Sequence, residues 1–267
     1  MKFNNFISNK LLNRILKITS LKYLIKSDAN RLEIIRSIIT NQSIEKKGYT
    51  LSNYGVWMLN NCSDKTFQLS IMGYRNNLEK FLLSINQQLT FIDIGANQGV
   101  FSLVAAKNKN FVEIHAFEPN LKLISYLETN FYINKVNNFF IHKVAIGPQS
   151  TNVSFFVPDN HSGNGRITSE KSNMNVICVN RNYFNKVFAR SNKLFFIKID
   201  VEGSESKVLN ELFNSSINLY IKYIFIEINS KYSNEVILIN TLRSNGFYEV
   251  SRKGNGVSYD ALYTRQF

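Results

Sequence analysis

The chain has 267 residues, 44% of them hydrophobic, and a formal charge of +13 at pH 7. This length suits one large domain with a short appendage or two small domains, and the apolar content can fill a sizeable core. Two cysteines, Cys62 and Cys178, exclude a disulfide framework and a zinc knuckle. No stretch approaches the roughly 20 apolar residues of a membrane span. Polar residues interrupt any early apolar run, so we expect a cytoplasmic protein without a signal peptide.

The basic charge is concentrated in residues 1–47, which hold ten Lys or Arg against three Asp or Glu, an excess of +7. Residues 3–26 have apolar positions at helical spacing with basic residues between them, which predicts a basic amphipathic helix. Ser27 and Asp28 are good capping residues for a second helix that reaches about Ile39. The first helix either lies on an anionic membrane or packs on the main domain or on a second subunit of a homodimer, and the pattern favours packing.

Residues 48–89 are predicted to form a cap in front of the main domain. Two β-rich halves, residues 50–61 and 66–74, flank the polar residues CSDK and predict a hairpin, and Arg75 to Ile85 predicts a helix. Tyr54, Trp57 and Tyr74 are either core residues, which is the favoured interpretation, or the lining of an acceptor site.

Residues 90–267 form the predicted main domain, and their first strand, loop and helix lie in Thr90 to Asn108. Phe91 to Ile94 is an apolar run with a lone Asp93, and Gly95 follows at once. Gly95 and Asn97 tolerate a positive φ in a sharp turn, and Gly99 permits a close approach to a ligand at the helix start. The sequence therefore predicts a nucleotide-binding loop.

Two cofactors are compatible with this loop. A dinucleotide-binding loop has the pattern G-x-G-x-x-G, whereas this one is D-x-G-x-N-x-G and lacks the third glycine. S-adenosylmethionine carries a sulfonium cation and no phosphate, so an acidic strand end suits it better. Glu118 lies 25 residues after Asp93 at the end of another strand, where a carboxylate can accept both ribose hydroxyls of an adenosine.

Alternating strands and helices continue after Glu118 and predict a parallel sheet with helices on both faces. Leu121 to Asn134 predicts a helix, and residues 137–147 predict a third strand with Ala145 near its end. Ligands of such sheets bind beyond the carboxyl ends of the strands, so Ala145 joins Asp93 and Glu118 as a cofactor candidate. His115 and His142 lie in apolar strands and are interpreted as structural histidines.

A further candidate is the loop between two strands predicted at Val153 to Val157 and Asn175 to Val179. It contains His161 among glycines and asparagines, and it is interpreted either as a functional loop or as a surface turn. Leu194 to Ile199 predicts the next strand, in which Lys198 needs a carboxylate partner or water if both faces are buried.

The last third of the chain completes the predicted sheet. Helices are predicted from Glu205 to Phe213 and from Asn234 to Ser244, and a fifth strand contains Glu227. The chain ends in a hairpin that turns at residues 254–256. An antiparallel C-terminal hairpin on a mostly parallel sheet is typical of the class I methyltransferase Rossmann-like fold, which is the α/β fold that we expect.

The segments FIDIGANQGVFS, AFEPN, VAIG and above all IKIDVEGSESKVL resemble the FkbM-type methyltransferases over roughly Arg75 to Glu249. The resemblance implies S-adenosylmethionine as methyl donor and usually O-methylation of a sugar hydroxyl or natural product. It also implies a set of cofactor residues: Asp93, Gly95, Asn97, Gly99 and Glu118. The composition and the paired front helices are similar to bacterial enzymes that modify surface polysaccharides, such as O-antigen or capsule, so we expect a saccharide acceptor, lipid-linked or free.

A sugar hydroxyl needs a base to remove its proton. We assign this role to Asp200 or His161, with Lys198 orienting the carboxylate or the developing alkoxide and Glu202 binding the acceptor. A divalent metal held by Asp200 and Glu202 is an alternative that no spacing requires.

Other functions stay open. Amino-group and cytosine-C5 nucleic-acid methylases need proline motifs that the sequence lacks, which leaves ribose methylation of RNA as the nucleic-acid alternative. A natural-product methyltransferase, an NAD-dependent oxidoreductase and a non-catalytic membrane-associated binding module are further alternatives.

Overall fold

The computed structural model describes residues 48–266 except residues 171, 190 and 192. The two helices predicted within residues 1–47 therefore lie outside the described residues. The described chain begins with four short elements: β1 (Tyr49–Leu51), β2 (Trp57–Leu59), α1 (Lys65–Met72) and α2 (Asn76–Ser84).

The main domain follows as alternating strands and helices. Its first half contains β3 (Leu89–Ile94), α3 (Val100–Ala106), β4 (Phe111–Phe117), α4 (Leu121–Ile133), β5 (Phe139–His142), β6 (Ala145–Ile146), β7 (Thr151–Phe156) and β8 (Arg166–Ile167). Its second half contains β9 (Met174–Val179), α5 (Arg181–Val187), β10 (Leu194–Ile199), α6 (Glu205–Phe213), β11 (Ile221–Asn229), α7 (Glu235–Ser244), β12 (Phe247–Asn255) and β13 (Ser258–Arg265).

The central sheet of the described chain has seven strands in the order β5-β4-β3-β10-β11-β13-β12. All neighbours pair in parallel except β13, which runs antiparallel to both β11 and β12. This mostly parallel sheet with a C-terminal antiparallel hairpin is the class I methyltransferase arrangement that the sequence predicts. The chain moves outward from β3 in both directions, so a topological switch point lies between β3 and β10, where a ligand is expected.

Apolar residues alternate between the two faces of the sheet because side chains of a strand point to opposite sides. Phe91 and Phe196 pack in the cluster under α1, α2 and α3, while Ile92 and Ile197 pack in the cluster under α6 and α7. All four side chains are fully buried. Burial on this scale stabilises the fold by about 2 kcal/mol per side chain.

The predicted hairpin of the cap is wrong in its second half. The hairpin consists of β1 and β2, which turn at residues 52–56, whereas residues 65–72 form helix α1. Asp64 caps this helix by accepting a hydrogen bond from the Thr66 amide, and Gly73 ends it in the left-handed conformation. Phe67 and Ile71, four residues apart, give the helix one buried face, which outweighs the β propensity of the sequence.

The predicted third strand is also divided. β5 ends at His142, and β6 pairs instead with β9, where Ala145 lies opposite Cys178. β6 thereby enters a four-stranded sheet in the order β6-β9-β7-β8, which carries the loop with His161. Ala145 therefore lies in this second sheet and not at the end of a central strand.

His115 and His142 have structural surroundings, as interpreted from the sequence. Their ring nitrogens Nδ1 and Nε2 lie 3.0 Å apart, and Nδ1 of His142 lies 3.0 Å from the Tyr183 hydroxyl. Burial lowers the pKa of His142 to about 3, with a smaller contribution from His115, and it lowers the pKa of His115 as well. Both rings are therefore neutral at pH 7. None of the helices in the described residues has the length and apolar content needed to cross a bilayer.

Candidate active site

The glycine loop after β3 turns sharply against the loop after β10. Gly95 has φ +82°, and a Cβ at this position would lie 1.9 Å from the Asp200 carbonyl oxygen. The amides of Gly95 and Ala96 both donate to the Phe117 carbonyl oxygen at 3.0 Å. Only glycine fits this contact, which brings the ends of β3, β4 and β10 together at one edge of the sheet.

Glycine at position 99 is explained by packing and not by the close approach to a ligand that the sequence predicts. Its φ is +82°, and an added Cβ would lie 2.4 Å from Cδ1 of Leu127 in α4. Gly99 thus permits close packing of α3 against α4, and it does not line the cavity described below.

Glu118 follows β4 directly and is 5% exposed. Its two carboxylate oxygens accept hydrogen bonds from the amides of Asn97 and Asn120, both at 2.8 Å. Burial raises the pKa of Glu118 to about 7, although these two hydrogen bonds act to lower it. The carboxylate is held against the glycine loop, where the sequence predicts the ribose of the cofactor.

Asp93 and Lys198 form a buried ion pair behind the glycine loop. Lys198 Nζ lies 2.9 Å from Asp93 Oδ1 and donates to the Gly95 carbonyl oxygen at 3.2 Å, and the Ser102 hydroxyl donates to Asp93 Oδ2 at 2.8 Å. Asp93 is fully buried and does not line the cavity, whereas Lys198 does. Asp93 therefore supplies the carboxylate partner that Lys198 needs as a buried cation.

Arg75 binds three carboxylates, one that follows β10, one in β11 and one in β13. Its Nη1, Nη2 and Nε lie 2.5 Å from Asp200, 2.6 Å from Glu227 and 3.1 Å from Asp260, respectively. Lys198 Nζ is 3.6 Å from Asp200 as well. Burial alone would raise the pKa of Asp200, yet the charges of Arg75 and Lys198 hold it below its ordinary value. Asp200 is therefore ionised and a weak base.

Glu202 lies beside this cluster in a left-handed conformation, with φ +51°. Within the described residues its carboxylate has no hydrogen bond or ion pair, and it lines the cavity. Burial, together with the charges of Asp200 and Glu227, raises the pKa of Glu202 to about 8. The carboxyl group of Glu202 is thus better suited than that of Asp200 to exchange a proton near neutral pH.

The loop between β7 and β8 is fastened over the site by Asp64. Asp64 accepts hydrogen bonds from the Ser162 amide at 2.9 Å and from the Ser162 hydroxyl at 2.5 Å, and also from the Gln98 side chain at 2.9 Å. The Gly163 amide donates to the Thr66 hydroxyl at 2.7 Å. These contacts join the loop to α1 and to the glycine loop. His161 at the loop's start is half-buried, and burial lowers its pKa.

A cavity of about 280 Å³ lies between the glycine loop, this covering loop and the end of β10. It brings together most of the residues that the sequence singles out: Gly95, Asn97, Glu118, Ala145, His161, Lys198, Asp200 and Glu202. Of the three cap aromatics only Tyr74 lines it, because Tyr54 is buried in the core and Trp57 faces outward.

The sequence analysis missed Arg75, Asp260 and Asp64, and it gave Glu227 no role. Glu227 and Asp260 share one signal, a lone charged residue within an apolar strand, which also draws attention to Lys198. Arg75 begins a predicted helix, Asp64 lies among the polar residues CSDK, and neither has a comparable signal. The carboxylates that Arg75 binds are 125 or more residues away in sequence, and Ser162, which Asp64 binds, is 98 residues away.

Asp200, Glu202 and Glu227 could also offer oxygen ligands to a metal ion, since one oxygen of each lies within 4.8 Å of the others. Oxygens of Asp200 and Glu227, however, already accept hydrogen bonds from Arg75. The guanidinium thus already supplies a positive charge to these two carboxylates.

A known family matches the part of the sequence that contains most of these residues. The methyltransferase FkbM domain model matches residues 93–248, more than half of the chain. Among curated proteins, none matches the sequence.

Solved structures with a similar fold include a ribosomal protein L11 methylase from Lactobacillus delbrueckii subsp. bulgaricus, with 14% identity over 79% of this chain and 82% of that chain and a TM-score of 0.41. Another is magnesium protoporphyrin IX methyltransferase from Synechocystis PCC 6803 with bound S-adenosylmethionine, with 10% identity over 88% and 97% and a TM-score of 0.46.

The family match contains the glycine loop, Glu118 and the Lys198 to Glu202 cluster that together surround the cavity. These residues lie at the switch point of a sheet with class I strand order. The chain belongs to the FkbM family of S-adenosylmethionine-dependent methyltransferases.

Proposed function

We propose that the protein methylates a sugar hydroxyl, in a bacterial surface polysaccharide such as an O-antigen or capsule, or in its precursor. The observation that carries this proposal is the charge of the cavity beside β10. Asp200, Glu202 and Glu227 line it. The described lining residues include two basic side chains, Arg75 and Lys198, and both are already paired with carboxylates. Hydroxyl groups donate hydrogen bonds to such a wall, whereas RNA would require unpaired cations for its phosphates.

The residues around the glycine loop fit S-adenosylmethionine. Glu118 holds a carboxylate where ribose hydroxyls can donate to it, and the loop of Gly95 and Asn97 passes close beside it. Gln98 lines the cavity, and its buried Oε1 has no hydrogen-bond donor in the described part of the chain. A buried acceptor without a partner is unusual and fits a ligand that brings donors. We assign cofactor binding to these residues and to Ala145, with Asp93 and Gly99 supporting them from behind.

When bound, S-adenosylmethionine supplies a methyl group on a sulfonium, which is open to in-line attack by a nucleophilic oxygen. The protein must hold the acceptor hydroxyl on the axis of that attack, and positioning of this kind can supply much of the rate. We propose that Asp200 and Glu227 accept hydrogen bonds from the acceptor's hydroxyls and that Glu202 takes the proton of the reacting one. Lys198 stabilises the developing negative charge. His161, on the covering loop, is the alternative base.

Two further parts of the proposal depend on the sequence pattern alone. Residues 1–26 are proposed to bring the protein to an anionic membrane surface, where a lipid-linked acceptor would be available, or to join two copies in a homodimer. Both proposals concern residues outside those that the structure describes. We also propose that the protein is cytoplasmic.

The experiment that tests the function is transfer of labelled methyl from S-adenosylmethionine into fractions of a bacterial lysate. Lipid-linked glycan, free polysaccharide, RNA and protein are counted separately. We expect label in a glycan fraction with the wild-type protein. The Glu202→Gln variant should lose about 100-fold or more of this transfer while it binds S-adenosylmethionine as the wild type does.

Label in RNA or protein, with none in glycan, would show that the acceptor class is wrong. Full transfer by Glu202→Gln would show that Glu202 is not the base, and it would leave the acceptor class unaffected. The same assay of His161→Gln would then test the alternative base. Glu128→Gln is the matched control, because Glu128 pairs with Lys143 on the exposed surface.

A further inference from the structure

Arg75 has an unusual place in the molecule. It precedes α2 directly, its main-chain amide donates to the buried Tyr54 hydroxyl at 2.8 Å, and its guanidinium is 9% exposed. The residue lies outside the stretch 93–248 that matches the family, and so does its partner Asp260 in β13. The cap and the last strand therefore meet at the wall of the cavity.

Each nitrogen of the guanidinium contacts a different carboxylate. Asp200 and Glu227, which Nη1 and Nη2 bind, line the cavity, whereas Asp260, which Nε binds, lies behind it. Asp260 thus holds the guanidinium from the side away from the cavity, while the other two contacts face the cavity. Nη1 also donates to the Tyr74 hydroxyl at 3.4 Å, so four of the five N–H donors of Arg75 are occupied and no pair is left for an anionic substrate.

We propose that Arg75 is a positioning residue for methyl transfer, which fixes the carboxylates of Asp200 and Glu227 toward the acceptor. The inference rests on the proposed function in one respect, namely that these carboxylates face the acceptor. It assigns a role to the cap, residues 48–89, that the family match does not contain.

The surroundings explain why positioning requires an arginine. Oxygens of Asp200, Glu202 and Glu227 lie within 4.8 Å of one another, so these carboxylates repel each other when ionised. Lys198 is turned toward Asp93 at 2.9 Å and reaches Asp200 only at 3.6 Å. Arg75 is therefore the side chain that holds the carboxylates of both Asp200 and Glu227. A lysine offers a single nitrogen and cannot span three partners in this planar arrangement.

The test compares Arg75→Lys with wild type, using labelled methyl transfer into whichever lysate fraction the wild type labels. We expect transfer to fall about 100-fold at saturating S-adenosylmethionine, with the dissociation constant for S-adenosylmethionine, measured by calorimetry, within about threefold of wild type. Arg252→Lys is the matched control. Arg252 also pairs with two carboxylates, Glu249 and Glu235, but on the partly exposed surface.

Chemical rescue provides a readout that a purely structural role would not give. In Arg75→Ala, added guanidinium ion should restore part of the transfer, and added ammonium ion should restore less, because only guanidinium matches the three carboxylates. Near-ultraviolet circular dichroism reports the folded fraction of each variant. Wild-type transfer by Arg75→Lys, or a loss that matches the unfolded fraction and is not rescued, would overturn the inference.

A titration without acceptor separates this inference from the proposed function. Carboxyl carbon resonances of Asp200 are followed with pH by NMR in wild type and in Arg75→Lys, a variant that keeps the positive charge. We expect the pKa of Asp200 to rise in the variant, and an unchanged titration would count against Arg75 as the residue that holds it. Label in RNA would contradict the proposed function and leave this measurement valid.

Discussion

The carboxyl group of Glu118 is expected to make cofactor binding depend on pH. Burial raises its pKa to about 7 in the free protein. In the proposed complex the ionised form accepts hydrogen bonds from ribose hydroxyls, so binding should favour it and lower its pKa. The affinity for S-adenosylmethionine is therefore expected to be constant above pH 7 and to fall by up to about tenfold per unit below it.

Calorimetric titration of S-adenosylmethionine at pH values on both sides of 7 measures this dependence. Glu118→Gln should bind weakly at every pH, because an amide presents a donor where a second acceptor oxygen is needed. Glu128→Gln changes an exposed carboxylate and should keep the wild-type dependence. An affinity in the wild type that does not change between pH 6 and 8 would contradict the role of Glu118.

At the scale of elements, helix α1 and the covering loop share one anchor. Asp64 caps α1 through the Thr66 amide and also holds the Ser162 amide and hydroxyl. Asp64→Ala should therefore lower the free energy of unfolding by about 2 kcal/mol and weaken S-adenosylmethionine binding about tenfold, because ordering the loop then opposes binding.

Asn180→Ala is the matched control for this variant. Asn180 caps α5 in the same way, through the Asn182 amide at 3.1 Å, and it does not line the cavity. Asn180→Ala should lower the free energy of unfolding by about 1 kcal/mol and leave the affinity for S-adenosylmethionine unchanged. Urea unfolding and calorimetry measure the two quantities. Equal losses of affinity in both variants would mean that Asp64 acts through general stability.

Strands and helices were predictable where the sequence signal is local. Leu194 to Ile199 and Glu205 to Phe213 were predicted with the bounds that the structure has, because apolar strands and amphipathic helices carry their own periodicity. Helix α1 was missed because its β-rich composition outweighed the capping signals of Asp64 and Gly73. The sequence predicts β5 and β6 as one strand, because the change from the central sheet to the second sheet at β6 depends on the partner strand β9.

The candidate site was predictable at strand ends and not elsewhere. The glycine loop, Glu118 and the Lys198 to Glu202 cluster follow their strands in sequence, so spacing alone places them together. Arg75 and Asp260 reach the same cavity wall through contacts between the cap and the last strand. No periodicity encodes a contact across that separation, so these residues require the three-dimensional structure.

The stability of the whole molecule should depend on its buried histidines. His142 has a pKa of about 3 in the folded protein against an ordinary value of 6.5. Between these values the unfolded chain binds more protons, so the folded state loses up to about 1.4 kcal/mol per unit as the pH falls. Glu118 and Glu202, with raised pKa values, act in the opposite direction above pH 4.5.

Comparison of a variant with the wild type removes those opposing contributions. His142→Phe keeps an aromatic ring at this position, where the ring centroids of His142 and Phe117 lie 4.2 Å apart, and the new ring cannot be protonated. Urea unfolding from pH 7 to pH 5 should show a smaller loss of stability in this variant than in the wild type. His161→Gln, in the half-buried covering loop, is the control and should follow the wild type more closely. Parallel curves for His142→Phe and the wild type would contradict the assignment.

The position of β13 between β11 and β12 has a consequence for synthesis of the protein. β13 follows β12 in sequence yet lies between β12 and β11, so β11 presents an open edge until β13 has been synthesised and pairs with it. Asp260, carried on this strand, reaches Arg75 at the same late moment. A nascent chain can thus complete most of its core early, yet it closes its sheet and brings Asp260 to Arg75 only after β13 has left the ribosome.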